Sequence, residues 1–407
     1  MSTCRFCGAD ISLDLVDLGE QPPSNSYLKS GDAPEKAFPL RTVVCEDCYL
    51  VQLADEVPPG EIFNADYAYY SSFSVSWVAH AKAYAADMIK RFQLGANSKV
   101  VEIASNDGYL LQHFVGAGVP VLGVDPAAGC AAAAKEKGVE TEVAFFNAET
   151  ATRLKAAGHS ADLMAANNVL AHVPDIRSFV EGFAVLLKDD GVVTFEYPHL
   201  LNLLNLVQFD TIYHEHYSYL SLLAVERIFS ECGLRAFDVQ ELTTHGGSLR
   251  VFACKKACTQ YPDQPELTAM RLKEKTAGLD SRLAYQGFQA KCEAVREGLL
   301  SFLADARDNS KTVVGYGAAA KGNTLLNYAG VDADQIDFVC DGNPAKQGTY
   351  LPGSRIPVLS PDHIETAKPD YVVILPWNLK TEIGEQLSSI RTWGGQFVVA
   401  VPQIEVW

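Results

Sequence analysis

Two histidines, a glutamate and three tyrosines crowd one short stretch of the chain: Tyr213, His214, Glu215, His216, Tyr217 and Tyr219. Histidine titrates near neutral pH, and adjacent carboxyl and phenol groups can orient or tune it, so the stretch suits proton transfer. Read as a strand, it sets Tyr213, Glu215 and Tyr217 against His214 and His216; read as a helix, it brings Tyr213, His216 and Tyr217 together. A catalytic metal here would need a further ligand from elsewhere, because His-x-His with one Glu is not a zinc signature. Acid–base use is the preferred reading.

A second constellation is made of cysteines. Cys4 with Cys7 and Cys45 with Cys48 form two Cys-x-x-Cys pairs. Four thiolates suit a tetrahedral Zn²⁺ with Zn–S bonds of about 2.3 Å and leave no open coordination position, which is the mark of a structural site. A redox dithiol would need a thioredoxin-like strand–helix context, and none surrounds these pairs. The zinc would hold a loop-rich segment from Pro22 to Pro39. The six remaining cysteines are scattered and read as small buried hydrophobes. Further on, Tyr67, Tyr69, Tyr70, Ser71 and Ser72 offer flat rings and hydroxyls, either as the wall of a carbohydrate cleft or as a half-buried strand or turn.

The elements that must position these groups become visible from Lys99 onward. Residues 100–103 read as a strand, 105–108 as a turn, 109–116 as a helix and 120–125 as a second strand ending in a carboxylate; strands follow at 161–167 and 191–196. Such alternation predicts an α/β fold, a parallel sheet with helices on both faces and ligands at the carboxyl ends of the strands. Glu102, the small-residue turn and Asp125 suit an adenosine-bearing cofactor. The turn admits close backbone approach, and Asp125 can accept hydrogen bonds from ribose hydroxyls. Phe145-Phe146-Asn147 lies where an adenine could be clamped, with Phe146 the preferred ring, and core packing suits either ring at least as well. Ala104 and Asn106 occupy positions where such a turn usually carries glycine.

One long helical region is expected from 265 to 308, with Phe288, Cys292, Val295, Leu299 and Leu303 on its apolar face as a strut into a third part of the chain. A second strand–turn–helix opens at Lys311, with further strands at 337–341, 371–375 and 396–401. Gly315, Gly317 and Ala320 spell Gly-x-Gly-x-x-Ala, and Asp341 follows, which is the outline of a nicotinamide-dinucleotide fingerprint. Lys321 and Asn323 at the helix start could serve any phosphate.

Bulk composition narrows the partners. Fifty acidic against 33 basic residues give a net charge of −17, which disfavours nucleic acid and anionic lipid. No apolar run reaches the roughly 18 residues of a membrane span, and the start lacks a secretory pattern, so a cytoplasmic protein is expected. Without heptads or a large apolar stripe, a monomer is the default.

Taken together, the motifs resemble the zinc-containing sugar C-methyltransferases of deoxysugar biosynthesis. The resemblance runs nearly the full length: the paired Cys-x-x-Cys, Glu-Ile-x-Ser-Asn-Asp-Gly at 102–108, Asn-Val-Leu-Ala-His at 168–172, Asp-Thr-Ile-Tyr-His-Glu-His at 210–216, His-Gly-Gly-Ser-Leu-Arg at 245–250, Gly-Tyr-Gly-Ala-x-Ala-Lys-Gly-Asn-Thr at 315–324 and Asn-Pro-x-Lys-Gln-Gly at 343–348. That family's turn also departs from the glycine-rich form. The resemblance implies a zinc-binding domain at 1–72, a central Rossmann-like domain binding S-adenosylmethionine at 73–260 and a second Rossmann-like domain holding the substrate's nucleotide at 261–407. It implies methylation of a dTDP-linked 4-keto-6-deoxyhexose at the carbon alpha to the ketone. His216 would be the base, Tyr213 and Glu215 would support it, and Tyr67 would face the sugar. Glu102, Ser105, Asn106, Asp107, Gly108, Asp125, Phe146 and Asn168 would hold the cofactor. Arg250, Lys321 and Asn323 would contact the diphosphate, with Lys346 and Arg355 as further candidates. A metal-free reaction centre and a structural zinc at Cys4, Cys7, Cys45 and Cys48 complete the expectation. Which sugar, which carbon and which stereochemical outcome are left open.

Overall fold

The structure is a computed structural model that describes residues 3–55, 57 and 70–407; Tyr67 lies outside them. The apolar runs are organised into three sheets. The central one has seven strands in the order Leu234–Leu242, Ser248–Lys255, Leu187–Pro198, Ala161–Asn167, Val100–Ile103, Val121–Val124 and Thr141–Glu142. The last five run parallel, and Val100–Ile103 is buried at every position, as a strand covered on both faces must be. The first two run antiparallel. An all-parallel sheet is therefore not what forms, because the short connection at Thr243–Gly247 can join only antiparallel neighbours.

Chain order reverses between Val100–Ile103 and Ala161–Asn167, which leaves a crevice at the carboxyl ends of these two strands. The third sheet repeats the plan, in the order Val358–Leu359, Val339–Cys340, Val313–Tyr316, Tyr371–Ile374, Gln396–Val399 and Glu405–Val406. Its reversal lies between Val313–Tyr316 and Tyr371–Ile374, and there the crevice is filled. Gly317 has φ +87°, and a Cβ on it would sit 2.4 Å from Pro376 Cδ. A Cβ on Gly315 would come within 2.7 Å of Val339, and one on Gly322 within 2.8 Å of Leu375. These glycines serve close packing, and Asp341 accepts from the backbone N–H groups of Ala318 and Asn343. Packing thus accounts for the dinucleotide outline read from the sequence.

The N-terminal sheet runs Leu13–Gln21, Phe38–Val44, Val51–Leu53 and Ser218–Tyr219. Its fourth strand comes from the middle of the chain, directly after His216. One continuous core joins Leu13, Leu15 and Leu18 of this sheet to helix Phe288–Asp308 and the third sheet. Another joins the zinc-cluster cysteines to the central sheet. The expected apolar face of Phe288–Asp308 is buried at all five positions. The expected single helix is nonetheless two, Pro265–Thr276 and Phe288–Asp308, separated where Gly278 and Gly287 take left-handed φ. Leu267 and Met270 of the first pack into the central core.

Replacing Gly317 by alanine combines a left-handed φ with a clash against Pro376. We expect it to destabilise the third sheet by about 2 kcal/mol or more, measured as a lowered unfolding midpoint, with the zinc cluster unaffected.

Candidate active site

The first knuckle is closed by Cys4 N–H on Ala9 O and Gly8 N–H on Cys4 O, the second by Tyr49 N–H on Cys45 O and Cys45 N–H on Leu50 O. These turns bring the four sulfurs within 4.8 Å of one another, with Cys4 to Cys48 and Cys7 to Cys45 each at 3.5 Å. A tetrahedron of 2.3 Å bonds has edges of about 3.8 Å, so the donor set fits Zn²⁺. All four cysteines are free of disulfides.

At the central crevice the turn after Val100–Ile103 holds Ala104, Asn106 and Gly108 at φ +56°, +49° and +77°. Ala104 and Asn106 adopt the conformation for which glycine is the usual choice, so the turn keeps its shape without glycine. The turn and the strand ends beside it are rich in buried polar atoms: Ser105 Oγ, Asp107 Oδ1, Thr141 Oγ1 and Asn168 Oδ1 stand without partners among the described residues, while Glu102 and Asn167 share the Tyr109 hydroxyl. Burial first, then repulsion from Asp125 and Asp107, pushes the Glu102 carboxyl well above its ordinary range, although the Tyr109 hydroxyl faces it. Asp107 is paired with Lys137 at 2.9 Å, and Asn106 Oδ1 accepts from the Ser71 N–H. Asn168, at φ +52°, closes the facing edge.

Three residues of this set make contacts that the sequence did not specify. Asp125 commits its two oxygens to the N–H groups of Asn106 and Ala127, shaping the turn itself. The Ser105 hydroxyl points back into the sheet, over Gly123. Phe146 packs edge-on against Phe179 and Phe183 in the core, while Phe145 is 65% exposed. The two adjacent rings lie in the loop between Thr141–Glu142 and helix Ala148–Ala156 and face opposite ways, and the sequence does not say which one turns inward.

Beyond the crevice, the Phe209–Tyr219 segment is neither strand nor helix over its reactive part: a 3-10 turn at Phe209–Thr211 leads to an irregular stretch and then the strand Ser218–Tyr219. His216 Nδ1 lies 2.9 Å from the Thr211 carbonyl, which can only accept, so Nδ1 carries the proton and Nε2 is the basic atom. Burial, followed by repulsion from His172, holds the imidazole well below its ordinary pKa. The Tyr213 ring lies 4.0 Å from the His216 ring and the His172 ring 4.6 Å from it. Burial likewise lowers His172 and His245 to about 4. His214 points away, toward the Phe38 and Pro39 carbonyls. Glu215 accepts from Asn25 Nδ2 at 2.5 Å, and burial raises its carboxyl to about 7.

The third sheet contributes Lys321. Its ammonium bonds Asn378 Oδ1 at 2.7 Å and lies 4.6 Å from the centre of the Trp377 ring. Trp377 Nε1 donates to Asp210 Oδ2 at 2.7 Å, and its ring edge abuts Gly246, next to His245. Burial lowers the Lys321 pKa and raises Asp210 to about 6, each opposed by the other's charge. The field of Lys321 also reaches His216 and His245.

Two expected diphosphate contacts are otherwise engaged. Arg250 is buried, bonded to Glu196 at 2.6 Å and stacked 4.7 Å over Tyr84. Burial works to raise Glu196, but His80 and Arg250 hold it down to about 2. A guanidinium on a buried strand finds its counter-charge across the sheet. Asn323 is fully buried and donates to the Ser24 carbonyl, tying the N-terminal segment to helix Ala320–Ala329. Lys346 bonds the Ala318 carbonyl, and Arg355 pairs with Glu35. Asp210, Trp377, Asn25 and Tyr109 carry no sequence pattern that singles them out, except that Asp210 lies within the reactive stretch.

With this geometry in view, the relatives are informative. A curated relative, C-methyltransferase NovU of Streptomyces niveus, is 37% identical over 405 residues, covering 99% of this chain and 96% of its own. The chain belongs to the C-methyltransferase family. Residues 243–402 match the C-methyltransferase C-terminal domain, 77–239 a methyltransferase domain and 4–63 a zinc binding domain. Among solved structures, magnesium protoporphyrin IX methyltransferase from Synechocystis PCC 6803 aligns with 45% of this chain and 84% of its own, at 15% identity and a TM-score of 0.37. A Clostridium acetobutylicum methyltransferase aligns with 48% of this chain and 96% of its own, at 12% identity and a TM-score of 0.36. Among the described residues, no helix of this methyltransferase is long and apolar enough to cross a membrane.

Elemental analysis of the purified methyltransferase should find one zinc per chain. Replacing Cys45 by serine should abolish that stoichiometry and lower the unfolding midpoint, because metal binding here contributes directly to folding; full zinc retention in that variant would contradict the four-sulfur site.

Proposed function

We propose that this methyltransferase transfers a methyl group from S-adenosylmethionine to the carbon alpha to the ketone of a dTDP-linked 4-keto-6-deoxyhexose. The observation that carries the reading is the state of His216: neutral, with Nδ1 committed to Thr211 and Nε2 basic. That is the form a base needs to take a carbon-bound proton.

The buried polar atoms at the central crevice fit the cofactor, since Asn168 presents a partnerless acceptor, and Glu102 and Asn167, which have only the Tyr109 hydroxyl between them, add acceptors for a cationic, hydroxyl-bearing ligand. The left-handed turn at Ala104 and Asn106 allows its backbone approach, with Gly108 packed behind it on Ala134 and Val139; Asp107 borders it, and the exposed Phe145, rather than Phe146, offers a face to adenine. Bound there, S-adenosylmethionine supplies an electrophilic methyl group. His216 Nε2 removes the alpha proton, and the C–H electron pair moves into the enolate, with negative charge on the former ketone oxygen. Lys321, whose charge reaches both His216 and His245, is the cation we assign to that oxygen. Tyr213, against the His216 ring, and Glu215, held by Asn25, orient the base and the sugar.

In D₂O with S-adenosylmethionine and dTDP-4-keto-6-deoxyglucose, mass spectrometry should show deuterium entering the alpha carbon and one methyl group added. His216→Asn should slow the exchange by roughly 10²- to 10⁴-fold while S-adenosylmethionine still binds; undiminished exchange would remove His216 from the mechanism. Lys321→Met should slow exchange by roughly 10²- to 10³-fold and leave dTDP affinity unchanged. Weakened dTDP binding with normal exchange would return Lys321 to the diphosphate.

A further inference from the structure

The zinc cluster and His216 are far apart in sequence, yet one side chain spans the gap between them. Arg5 stands between the zinc ligands Cys4 and Cys7. Its backbone N–H donates to Gln52 Oε1 at 3.0 Å, and Gln52 Nε2 in turn donates to Cys4 Sγ at 3.3 Å. Its guanidinium donates to the carbonyl of Tyr217 at 2.9 Å, with its carbon 5.6 Å from the Tyr217 ring centre. Tyr217 is the residue after His216. Its carbonyl also accepts from the Leu53 N–H at 3.1 Å, and its hydroxyl donates to the Val57 carbonyl at 3.3 Å. The next residue, Ser218, pairs with Gln52 itself.

The main chain leaving His216 is therefore gripped by the zinc-bound unit at the Tyr217 carbonyl, the Tyr217 hydroxyl and Ser218, while the imidazole itself is held by Thr211. A side chain whose basic nitrogen must meet a carbon-bound proton tolerates little displacement, and a misplacement of about 1 Å can cost 10²-fold in rate. A peptide carbonyl held by an additional charged donor is fixed more firmly than one held by a strand ladder two residues long. We propose that Arg5 is a positioning residue for His216, and that the zinc cluster, through Arg5 and Gln52, sets the geometry of the base as well as stabilising the fold. The inference rests on the reading of His216 as the base.

The experiment uses full-length, zinc-loaded Arg5→Met and Arg5→Lys chains. Zinc content by elemental analysis and the Kd values for S-adenosylmethionine and dTDP should match wild type. The alpha-carbon exchange rate of Arg5→Met with dTDP-4-keto-6-deoxyglucose should fall on the order of 10- to 100-fold, with Arg5→Lys in between. Imidazole ¹⁵N spectra should show His216 as the single Nδ1–H tautomer in wild type and as a mixture in Arg5→Met. Wild-type exchange and a wild-type His216 spectrum in a zinc-loaded Arg5→Met chain would overturn the proposal. So would loss of zinc or of both ligand affinities alongside activity, which would make Arg5 merely part of the fold. If wild type itself shows no exchange, the substrate reading fails, while the ¹⁵N spectra still decide whether Arg5 positions His216.

Discussion

The two-residue pairing of Val51–Leu53 with Ser218–Tyr219 is the constraint on which the rest of the arrangement depends. A strand this short contributes little stability by itself. It forms because its partner is already fixed by the Cys45–Cys48 knuckle on one side and by Phe38–Val44 on the other. Once formed, it takes the chain out of the central methyltransferase fold immediately after His216 and delivers it to the N-terminal sheet. The reactive stretch is thereby drawn between two bodies, and its irregular backbone persists only because both ends are anchored.

Two folds of the same plan serve opposite ends in this molecule. In the central sheet the crevice at the strand reversal is lined by under-bonded buried polar groups: Asn168 Oδ1 has no partner among the described residues, and Glu102 and Asn167 share one hydroxyl, that of Tyr109. Such atoms are costly unless a ligand meets them. In the third sheet the equivalent place is closed by Pro376 packed onto Gly317. Asp125 and Asp341 occupy the same station in the two folds and do the same work, each accepting from the turn N–H and from a residue two further on. The open crevice has room for a cofactor; the closed one turns its helix start inward, with Lys321 against Trp377 and Asn378.

The electrostatics around His216 run against the charge of the chain as a whole. His172, His216 and His245 are kept neutral mainly by burial, and Lys321 reinforces this at the latter two. The result is a group of bases without a group of positive charges, beside one cation. This matches a reaction that needs a proton acceptor and, separately, a countercharge for an oxygen.

Much was legible from sequence because local pattern decides it. The strands at 161–167 and 100–103, the buried stripe of Phe288–Asp308 and the four zinc ligands follow from apolar period and from the chemistry of thiolates, which neighbours in space can do little to alter. The reactive stretch was equally visible, since core packing alone rarely assembles six titratable or aromatic groups within seven residues. What tertiary structure alone decided is which of two adjacent groups faces the site and what holds it there. Phe145 rather than Phe146 is exposed, Arg250 turns to Glu196, Asn323 to Ser24, and Arg5 to Tyr217. Each is a choice of partner between residues far apart in the chain, and a charge or amide is satisfied by whichever complementary group the fold brings within about 3 Å. No spacing rule along a sequence encodes that distance.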